Sequence, residues 1–300
     1  MKLSNQVKSI LHFYDSENPG VKTNIARMLL HGKLGNSGKL IILPVDQGFE
    51  HGPTKSFGPN PDAYDPHYHF KLAIECGFSA YASSIGMLEC GASTYAGSIP
   101  LILKLNNSST FLPKDSHPTQ VITASIQDAL RLGCVAIGLT IYPGSHHFLS
   151  MICKAKNLIR EAKSNGLAVV IWSYPRGGDI SKAGETAIDV VAYGAHIAAS
   201  LGANIIKVKL PTSHIEKDNI NYDISSLSQR IAYIKQSCFN GKRIVLFSGG
   251  EAKSDDDLYK ECQAIKLGQG DGSIIGRNSF QRKKEDAVLM VNKIVKIYSS

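Results

Sequence analysis

Two lysines, Lys207 and Lys209, stand two positions apart in the sequence NIIKVKLP of residues 204–211. The β-branched residues around them predict a strand, on which alternate side chains point to the same face. Both ammonium groups therefore share one face, and their repulsion favours the loss of a proton from one of them. A neutral lysine can attack a carbonyl carbon, which opens Schiff-base chemistry. The alternative is that these are edge-strand lysines that protect against aggregation.

The length, composition and charge limit the classes of protein to which this chain can belong. The chain has 300 residues, is 43% hydrophobic and carries a formal net charge of +8. This length can bury the core of one large α/β domain or of two small ones. The basic residues are scattered and form no stripe interleaved with aromatic residues, which argues against a nucleic-acid partner. A positive charge suits an enzyme with an anionic substrate, although ordinary solvated lysines would explain most of the excess.

The cysteines and the apolar runs predict a cellular location. The six cysteines lie far apart and form no C-x-x-C motif, a pattern typical of reduced thiols in a cytosolic protein. Residues 1–15 lack the apolar core of a secretory signal. No apolar run reaches the roughly 18 residues that a membrane span needs. The sequence therefore predicts a cytoplasmic protein with no membrane partner.

Eight short apolar runs alternate, for the most part, with segments of helical pattern. This alternation argues for a parallel sheet. The predicted strands cover residues 40–46, 79–84, 101–105, 135–140, 168–173, 205–210, 243–247 and 272–276. Eight such units predict an α/β fold of the (β/α)8 TIM barrel type, because right-handed crossovers can close the sheet at that number. An open doubly wound sheet is the alternative, but no G-x-G-x-x-G follows the first strand.

The first 39 residues differ from the rest in pattern. Residues 1–39 are polar with helical spacing of the apolar positions and predict a short helical N-terminal extension. We expect it to pack on a barrel that comprises residues 40–300. Among the helices predicted between strands, one covers residues 119–132 and another covers residues 183–202.

Polar residues collect at the predicted carboxyl ends of six of the eight strands. In a TIM barrel, catalytic residues lie at these ends and in the loops that follow them. The residues are Asp46 after the first strand, Lys104 and Asn106 on the third, Trp172, Tyr174 and Arg176 at the fifth, the lysine pair on the sixth, Ser248 to Gly250 after the seventh, and Gly276 and Arg277 after the eighth.

The last two strand ends predict a phosphate site. Ser248, Gly249 and Gly250, together with Gly276 and Arg277, would present backbone N–H groups at helix starts. The loops after strands 7 and 8 are the usual phosphate site of a barrel, although these glycines could also serve only tight turns.

Arg176 lies on a different loop, so its planar fork could hold a second phosphate across the barrel mouth.

Depth in the barrel separates the two lysines. Lys209 lies nearer the carboxyl rim and is the predicted nucleophile, whereas Lys207 lies one layer deeper and would lower the pKa of Lys209. Tyr174 and Trp172 share one face of the neighbouring strand. A tyrosine hydroxyl there could move a proton to or from the reacting carbon, or Tyr174 could be only a rim aromatic.

Asp46 is a carboxylate at a strand end that could pair with Lys104 or Lys209 and transfer protons, or could simply cap a helix or form a loop salt bridge.

The histidines argue against metal chemistry. His67 and His69 form an H-x-H, His146 and His147 are adjacent, and His51 follows the first strand. None belongs to an H-E-x-x-H motif or has an evident third ligand at a strand end. We therefore predict no catalytic metal and no cofactor.

Four stretches together resemble the archaeal-type class I fructose-bisphosphate aldolases, the DhnA family. They are PVDQGFEHGP at residues 44–53, WSYPRG at 172–177, IIKVKLP at 205–211 and SGG at 248–250. The resemblance covers residues 40–280 in the same order. It implies a metal-independent barrel that reversibly cleaves fructose 1,6-bisphosphate to dihydroxyacetone phosphate and glyceraldehyde 3-phosphate, a step of glycolysis and gluconeogenesis.

The resemblance also assigns residues. It places the family's Schiff-base lysine at Lys209, the catalytic tyrosine at Tyr174, the active-site aspartate at Asp46 and the strand-3 lysine at Lys104. It places Trp172 and Arg176 in the lining of the substrate site. An acidic residue after the sixth strand of the family has no secure match, and Glu216 is only a candidate.

The motifs are also compatible with two other functions. Related barrels of the same family act on other phosphorylated ketoses and keep the lysine. A sugar-phosphate-binding protein without catalysis is a candidate from a different class, but binding alone needs no neutral amine. The family resemblance further implies a homo-oligomer.

Overall fold

A computed structural model describes residues 2–113, 116–248 and 253–300. Eight parallel strands close into a barrel with helices around it, which confirms the predicted (β/α)8 fold. In chain order the barrel strands are β1 Leu40–Val45, β2 Ala80–Ser83, β3 Leu101–Lys104, β4 Ala136–Ile141, β5 Ala168–Ser173, β6 Ile205–Lys209, β7 Ile244–Ser248 and β8 Gly272–Ile274. Each strand pairs with its sequence neighbours, and β1 pairs with β8 to close the barrel.

The described residues contain these α-helices. They are α1 Asn5–His12, α2 Pro19–Leu30, α3 Gln47–His51, α4 Pro53–Phe57, α5 Pro66–Cys76, α6 Ile85–Glu89, α7 Ile126–Arg131, α8 Phe148–Ser164, α9 Ile188–Ser200, α10 Leu227–Ser237, α11 Asp255–Leu267, α12 Arg277–Phe280 and α13 Lys284–Ser299. Short 3₁₀ turns cover Pro61–Tyr64 and Gly184–Thr186. None of the helices in the described ranges is long and apolar enough to cross a membrane.

The strands read as continuous apolar runs because both of their faces are covered. In β5, all six residues are buried. Val170 and Trp172 belong to an inner apolar cluster inside the barrel, whereas Val169 and Ile171 belong to an outer cluster between the strands and the helices. The alternation of the strand therefore supplies both cores, and an inward position can carry a functional residue without disturbing the outer packing.

The N-terminal helices close one end of the barrel. Val7 of α1 and Val21 and Ile25 of α2 belong to the same apolar cluster as the inward residues of the strands. The hydroxyl of Tyr14, between these helices, donates to the carbonyl of Asn204 at 2.6 Å and accepts from the N–H of Ile244 at 3.0 Å. These partners lie at the amino ends of β6 and β7, so α1 and α2 cover the amino-terminal end of the barrel. The carboxyl end is left for a functional site.

One predicted helix is shorter than its pattern indicated. Residues 119–132 were predicted to be helical, but the helix covers only Ile126–Arg131. Val121–Ile122 instead pairs antiparallel with Asn106–Asn107, beside the barrel mouth. The β-branched residues before Ser125 disfavour a helix, and Ser125 then begins α7 with a capping box to Asp128.

Replacing Tyr14 with phenylalanine should destabilise the fold. The change leaves the buried carbonyl of Asn204 and the N–H of Ile244 without this partner. We expect the free energy of unfolding to fall by about 2 kcal/mol, as measured by denaturant unfolding. As a control, Tyr193→Phe should have little effect, because Tyr193 is 65% exposed. Equal losses in both variants would contradict the closing role of Tyr14.

Candidate active site

The carboxyl ends of the barrel strands surround one polar cavity. Among the predicted site residues, its wall includes Asp46, Tyr174, Arg176, Lys207, Lys209, Ser248, Gly276 and Arg277, joined by Gln47, Glu50, His51 and Thr140. Lys104 and Trp172 lie immediately beneath this wall. The predicted Gly249 and Gly250 lie outside the described residues.

Lys207 lies inside the barrel, between two aromatic rings. Its Nζ is 5.6 Å from the ring centroid of Trp172 and 5.4 Å from that of Tyr174. The residue is 5% exposed. Burial lowers the pKa of Lys207 to about 8, even though the carboxylates of Asp46 and Glu50 oppose the effect. A substantial fraction of this amine is therefore neutral near physiological pH.

Lys209 is the last residue of β6 and lies nearer the rim, as its position in the sequence predicted. Its Nζ donates to Oε2 of Glu185 at 3.0 Å, and its side chain is 28% exposed. Burial lowers the pKa of Lys209 as well, but the hydrogen bond and charge of Glu185 oppose the loss of its proton. The two lysines share one strand face, yet they have different electrostatic surroundings.

Tyr174 follows β5 and lines the cavity beside Lys207. Its N–H donates to the carbonyl of Ile141 at 3.1 Å, which fixes the backbone. Burial, together with the charges of Asp46 and Glu50, holds the pKa of Tyr174 well above its ordinary value, while a hydrogen bond with Ser248 partly opposes this. The phenol is therefore protonated in the resting site and can donate a hydrogen bond.

Asp46 pairs with Lys104 across the cavity floor. The carboxylate Oδ2 lies 3.9 Å from the Nζ of Lys104, which also donates to the carbonyl of Asn106 at 2.5 Å. Asp46 precedes α3 at the N-cap position, but its side chain makes no capping hydrogen bond. The helix-cap alternative therefore does not hold, and the carboxylate faces the lysines.

Trp172 depends on a glycine in the neighbouring strand. A Cβ atom at Gly138 of β4 would lie 2.5 Å from Cζ3 of the indole and 3.4 Å from Cδ of Lys104. Only glycine therefore lets the Trp172 ring lie across the barrel interior. Gly138 was not among the predicted site residues, although a glycine inside an apolar strand can indicate such a close approach.

Four buried polar atoms around the cavity have no hydrogen-bond partner within the described residues. They are Oε1 of Gln47, Nδ1 of His51, Nε1 of Trp172 and Nε of Arg176. Buried polar groups are normally paired, so these atoms are suited to hydrogen bonds with a polar ligand.

Arg176 stacks on the rim. Its guanidinium carbon lies 4.6 Å from the ring centroid of Tyr142 and 5.8 Å from that of Tyr174. The Tyr142 hydroxyl donates to Glu50 at 3.3 Å and accepts from Gln120 at 2.6 Å. Glu50 and Tyr142 had no assigned role in the sequence interpretation, because only the fold shows which loop residues meet.

The predicted phosphate residues at β7 and β8 lie together where the structure describes them. Ser248 ends β7, and Gly276 and Arg277 lead into α12 on the cavity wall. A Cβ atom at Gly276 would lie 2.8 Å from the carbonyl oxygen of Pro44, so glycine lets this turn approach β1 closely.

The acidic residue that contacts Lys209 is Glu185 and not Glu216, the candidate that the sequence offered. Glu216 does not face the lysines: it accepts from the N–H of Ser181 at 2.7 Å and from Nε2 of His214 at 2.8 Å. Glu185, which the sequence interpretation missed, contacts Lys209 instead. No local motif indicated this, because Glu185 lies on a short 3₁₀ turn in the loop after β5.

The histidines form no metal cluster in the described part of the chain. No group of three or more His, Cys, Asp or Glu side chains there is arranged to hold an ion. The buried ring of His69 bonds to the carbonyl of Ala63 at 2.8 Å, and burial lowers the pKa of His69 to about 4. His117 and His146 stack with their ring centroids 3.8 Å apart.

A closed parallel barrel with a buried lysine at the carboxyl end of its sixth strand defines the class of lysine-bearing aldolase barrels. Residues 40–282 match the profile of the DeoC/LacD family aldolases, and the chain belongs to this family. It is an aldolase-type enzyme, and the resemblance to the archaeal-type class I enzymes is confirmed.

Individual relatives agree with this assignment. A probable class 1 fructose-bisphosphate aldolase of Chlamydia muridarum is 36% identical over 94% of this chain and 85% of its own length. The class 1 fructose-bisphosphate aldolase of Thermoproteus tenax is 38% identical over 82% of this chain and 85% of its own length. A solved archaeal fructose-1,6-bisphosphate aldolase, whose catalytic lysine is covalently bound to the carbinolamine intermediate of its substrate, matches with a TM-score of 0.78 and 33% identity, over 92% of this chain and 99% of that one.

Replacing Gly138 with alanine should damage the site more than the fold. The added methyl group would displace the indole of Trp172, which packs beside Lys207. We expect a loss of about 1–3 kcal/mol of unfolding free energy from overpacking and a lower aldol-cleavage rate in the variant that remains folded. Gly86→Ala is the matched control, because a Cβ atom there meets nothing within 4 Å. Wild-type activity in Gly138→Ala would contradict this account of Trp172.

Proposed function

We propose that the protein is a class I fructose-bisphosphate aldolase that cleaves and forms fructose 1,6-bisphosphate through a Schiff base. The observation that carries the proposal is the buried amine of Lys207, with its pKa lowered to about 8, in a cavity that also holds a tyrosine, a carboxylate and cationic rim groups. The names of the relatives support the same substrate.

Lys207, rather than the predicted Lys209, is the better candidate for the nucleophile. A nucleophilic amine must be neutral, and the Lys207 amine is buried beside Tyr174 and Trp172. Lys209 forms an ion pair with Glu185, which stabilises its protonated form. The prediction of Lys209 assumed that the substrate reaches only the lysine nearer the carboxyl rim. Both lysines line the cavity, so a substrate there can reach Lys207 as well.

The reaction follows from these positions. Neutral Lys207 attacks the C2 carbonyl, and Asp46 passes the amine proton to the new oxygen to give the carbinolamine. The phenol of Tyr174 then protonates the departing hydroxyl, so that water leaves, the iminium forms and Tyr174 becomes a phenolate. Tyr174 accepts the proton of the C4 hydroxyl as the C3–C4 bond breaks, and the bonding electrons pass into the iminium to form an enamine. The enamine is reprotonated at C3, and water hydrolyses the new iminium to release dihydroxyacetone phosphate.

The cationic groups fit the two phosphates. Arg277 and the turn at Gly276 line one side of the cavity with Ser248. Arg176 lines another side, at the end of β5. We assign the first group to the phosphate of the ketone half and Arg176 to the phosphate of the aldehyde half.

Borohydride trapping tests which lysine is the nucleophile. Wild-type protein reduced with borohydride in the presence of fructose 1,6-bisphosphate should carry a covalent adduct that peptide mass spectrometry locates at Lys207. Lys207→Met should form no adduct. Lys209→Met should still form one, because this variant retains the buried amine of Lys207. A chelator should not affect the wild-type rate. An adduct at Lys209, or a chelator-sensitive rate without any adduct, would overturn the assignment.

The same trapping reaction should depend on pH. Because the neutral form of Lys207 increases as the pH rises through about 8, the single-turnover rate of adduct formation should increase through that pH and then level off. A rate that rises only near the ordinary lysine pKa would mean that the attacking amine is not the buried one.

Tyr174→Phe should separate imine formation from bond cleavage. Without the phenol, the C4 hydroxyl loses its proton acceptor, so cleavage should slow on the order of 10²–10⁴-fold. Imine formation should slow less, because water can protonate the departing hydroxyl, and borohydride should still trap the adduct. Rapid-quench analysis of cleavage against adduct formation measures this. Tyr81→Phe is the control, since Tyr81 is buried in the outer cluster away from the cavity. An equal loss of both steps would assign Tyr174 to substrate binding instead.

A further inference from the structure

The cationic groups of the cavity divide into two sets. Arg277, the first residue of α12, lowers the pKa of Lys207, and Lys207 in turn lowers the pKa of the buried Lys104. The cations that act on Lys209 are Arg176 and Lys182, from the loop after β5, and the carboxylate that faces it is Glu185. Lys209 therefore belongs electrostatically to the aldehyde side of the cavity, together with Arg176.

Glu185 joins two lysines at this side. Its Oε2 accepts from Lys209 at 3.0 Å, and its Oε1 accepts from Lys182 at 3.0 Å. Burial raises the pKa of Glu185, but the hydrogen bonds from Lys182 and Lys209 outweigh it and hold the pKa below its ordinary value. The carboxylate is therefore ionised at neutral pH. The side chain of Lys182 is 89% exposed, whereas that of Lys209 is partly buried. Of the two ion pairs of Glu185, the one with Lys209 is therefore the more constrained.

Hydrogen bonds to the loop after β6 fix the loop that carries Glu185. Glu216 accepts from both the N–H and the hydroxyl of Ser181, at 2.7 and 2.9 Å. Its carboxyl carbon would lie 2.6 Å from a Cβ atom on Gly184, so only glycine lets the carboxylate pack against this turn.

A second set of bonds holds the loop after β6 itself. The carboxylate of Asp189 accepts from the N–H groups of Glu216, Lys217 and Asp218, at 3.1, 2.7 and 3.0 Å. The N–H of Thr212 donates to the carbonyl of Thr186 at 2.8 Å. These contacts fix the backbone on both sides of Glu185, and a fixed carboxylate can hold Lys209 in one place.

We propose that Glu185 is a positioning residue that keeps Lys209 as a protonated cation beside Arg176, where the two bind the aldehyde-side phosphate of the substrate. This inference rests on the proposed aldolase function and extends it to the recognition of a second phosphate. It also confines imine formation to Lys207, since only one of the two amines then loses its proton readily.

The proposal has a definite pH signature. Glu185 raises the pKa of Lys209, whereas burial, Arg176 and Lys182 lower it. Without the Glu185 charge, Lys209 loses its proton at a lower pH, and the rim then loses one positive charge. Binding of a substrate with two phosphates should weaken above that pH, and binding of a substrate without the second phosphate should not.

The test compares Glu185→Gln with the wild type on fructose 1,6-bisphosphate and fructose 1-phosphate across a pH series. At alkaline pH, KM for the bisphosphate should rise about tenfold in the variant, the effect of losing one charged hydrogen bond. At lower pH the two KM curves should converge. For fructose 1-phosphate, KM should follow the wild type at every pH, and kcat should stay close to the wild-type value for both substrates.

Lys182→Gln is the matched control, because it removes only the exposed partner of Glu185, and it should behave as the wild type. Circular-dichroism melting checks that each variant is folded. Should Glu185→Gln fail to fold, Lys209→Gln supplies the comparison: KM for the bisphosphate should rise at every pH, while KM for fructose 1-phosphate should not.

A wild type that traps no adduct and cleaves neither substrate would reject the function. A wild type that traps at Lys207, with a Glu185→Gln variant that changes KM equally for both substrates or without a pH displacement, would reject only the role of Glu185.

Discussion

The constraint on which the site depends is the burial of one amine, that of Lys207, which forms no ion pair within residues 2–113, 116–248 and 253–300. The pKa of Lys207 falls from 10.5 to about 8 because the barrel interior excludes water. This shift corresponds to a cost of about 3 kcal/mol for the protonated form. Since the pKa is lower in the folded state, the cost is present below pH 8 and disappears as the pH rises towards the ordinary lysine value. The surrounding core must offset it.

The barrel architecture makes this burial compatible with a stable fold. The outer faces of the strands pack against the helices and the inner faces form a second cluster, so inward positions near the carboxyl ends are free to carry polar groups. At the opposite end, α1, α2 and Tyr14 cover the strand starts. The N-terminal helices and the candidate site therefore lie at opposite ends of the barrel, an arrangement that separates stability from chemistry in barrels generally.

The sequence predicted those features that depend on local periodicity. The eight strands follow from apolar runs bounded by turn residues, and the polar residues predicted at their ends, Asp46, Tyr174, Arg176 and both lysines, line one cavity. Residues 119–132 were wrongly predicted to form a single helix. Val121–Ile122 instead pairs with Asn106–Asn107, and no local sequence pattern indicates this contact.

The different surroundings of the two lysines could not be predicted in the same way. Strand alternation gave their shared face and their order in depth, but the electrostatic difference comes from Glu185, which lies 24 residues away along the chain. Gly138 is a similar case, since its function is to leave room for a ring on the next strand. Contacts between loops and between strands carry information that spacing along the chain lacks.

The spacing of the two lysines on β6 has a geometric meaning. Neighbouring side chains on one strand face are separated by about 6–7 Å, and the hydrogen bonds of β6 to β5 and β7 keep this separation rigid. If one amine binds the reacting carbonyl and the next binds a distal anion, the strand acts as a ruler for the length of the sugar chain between them. Selection for chain length would then be a property of the backbone, and side-chain substitutions elsewhere in the cavity would alter affinity without changing it.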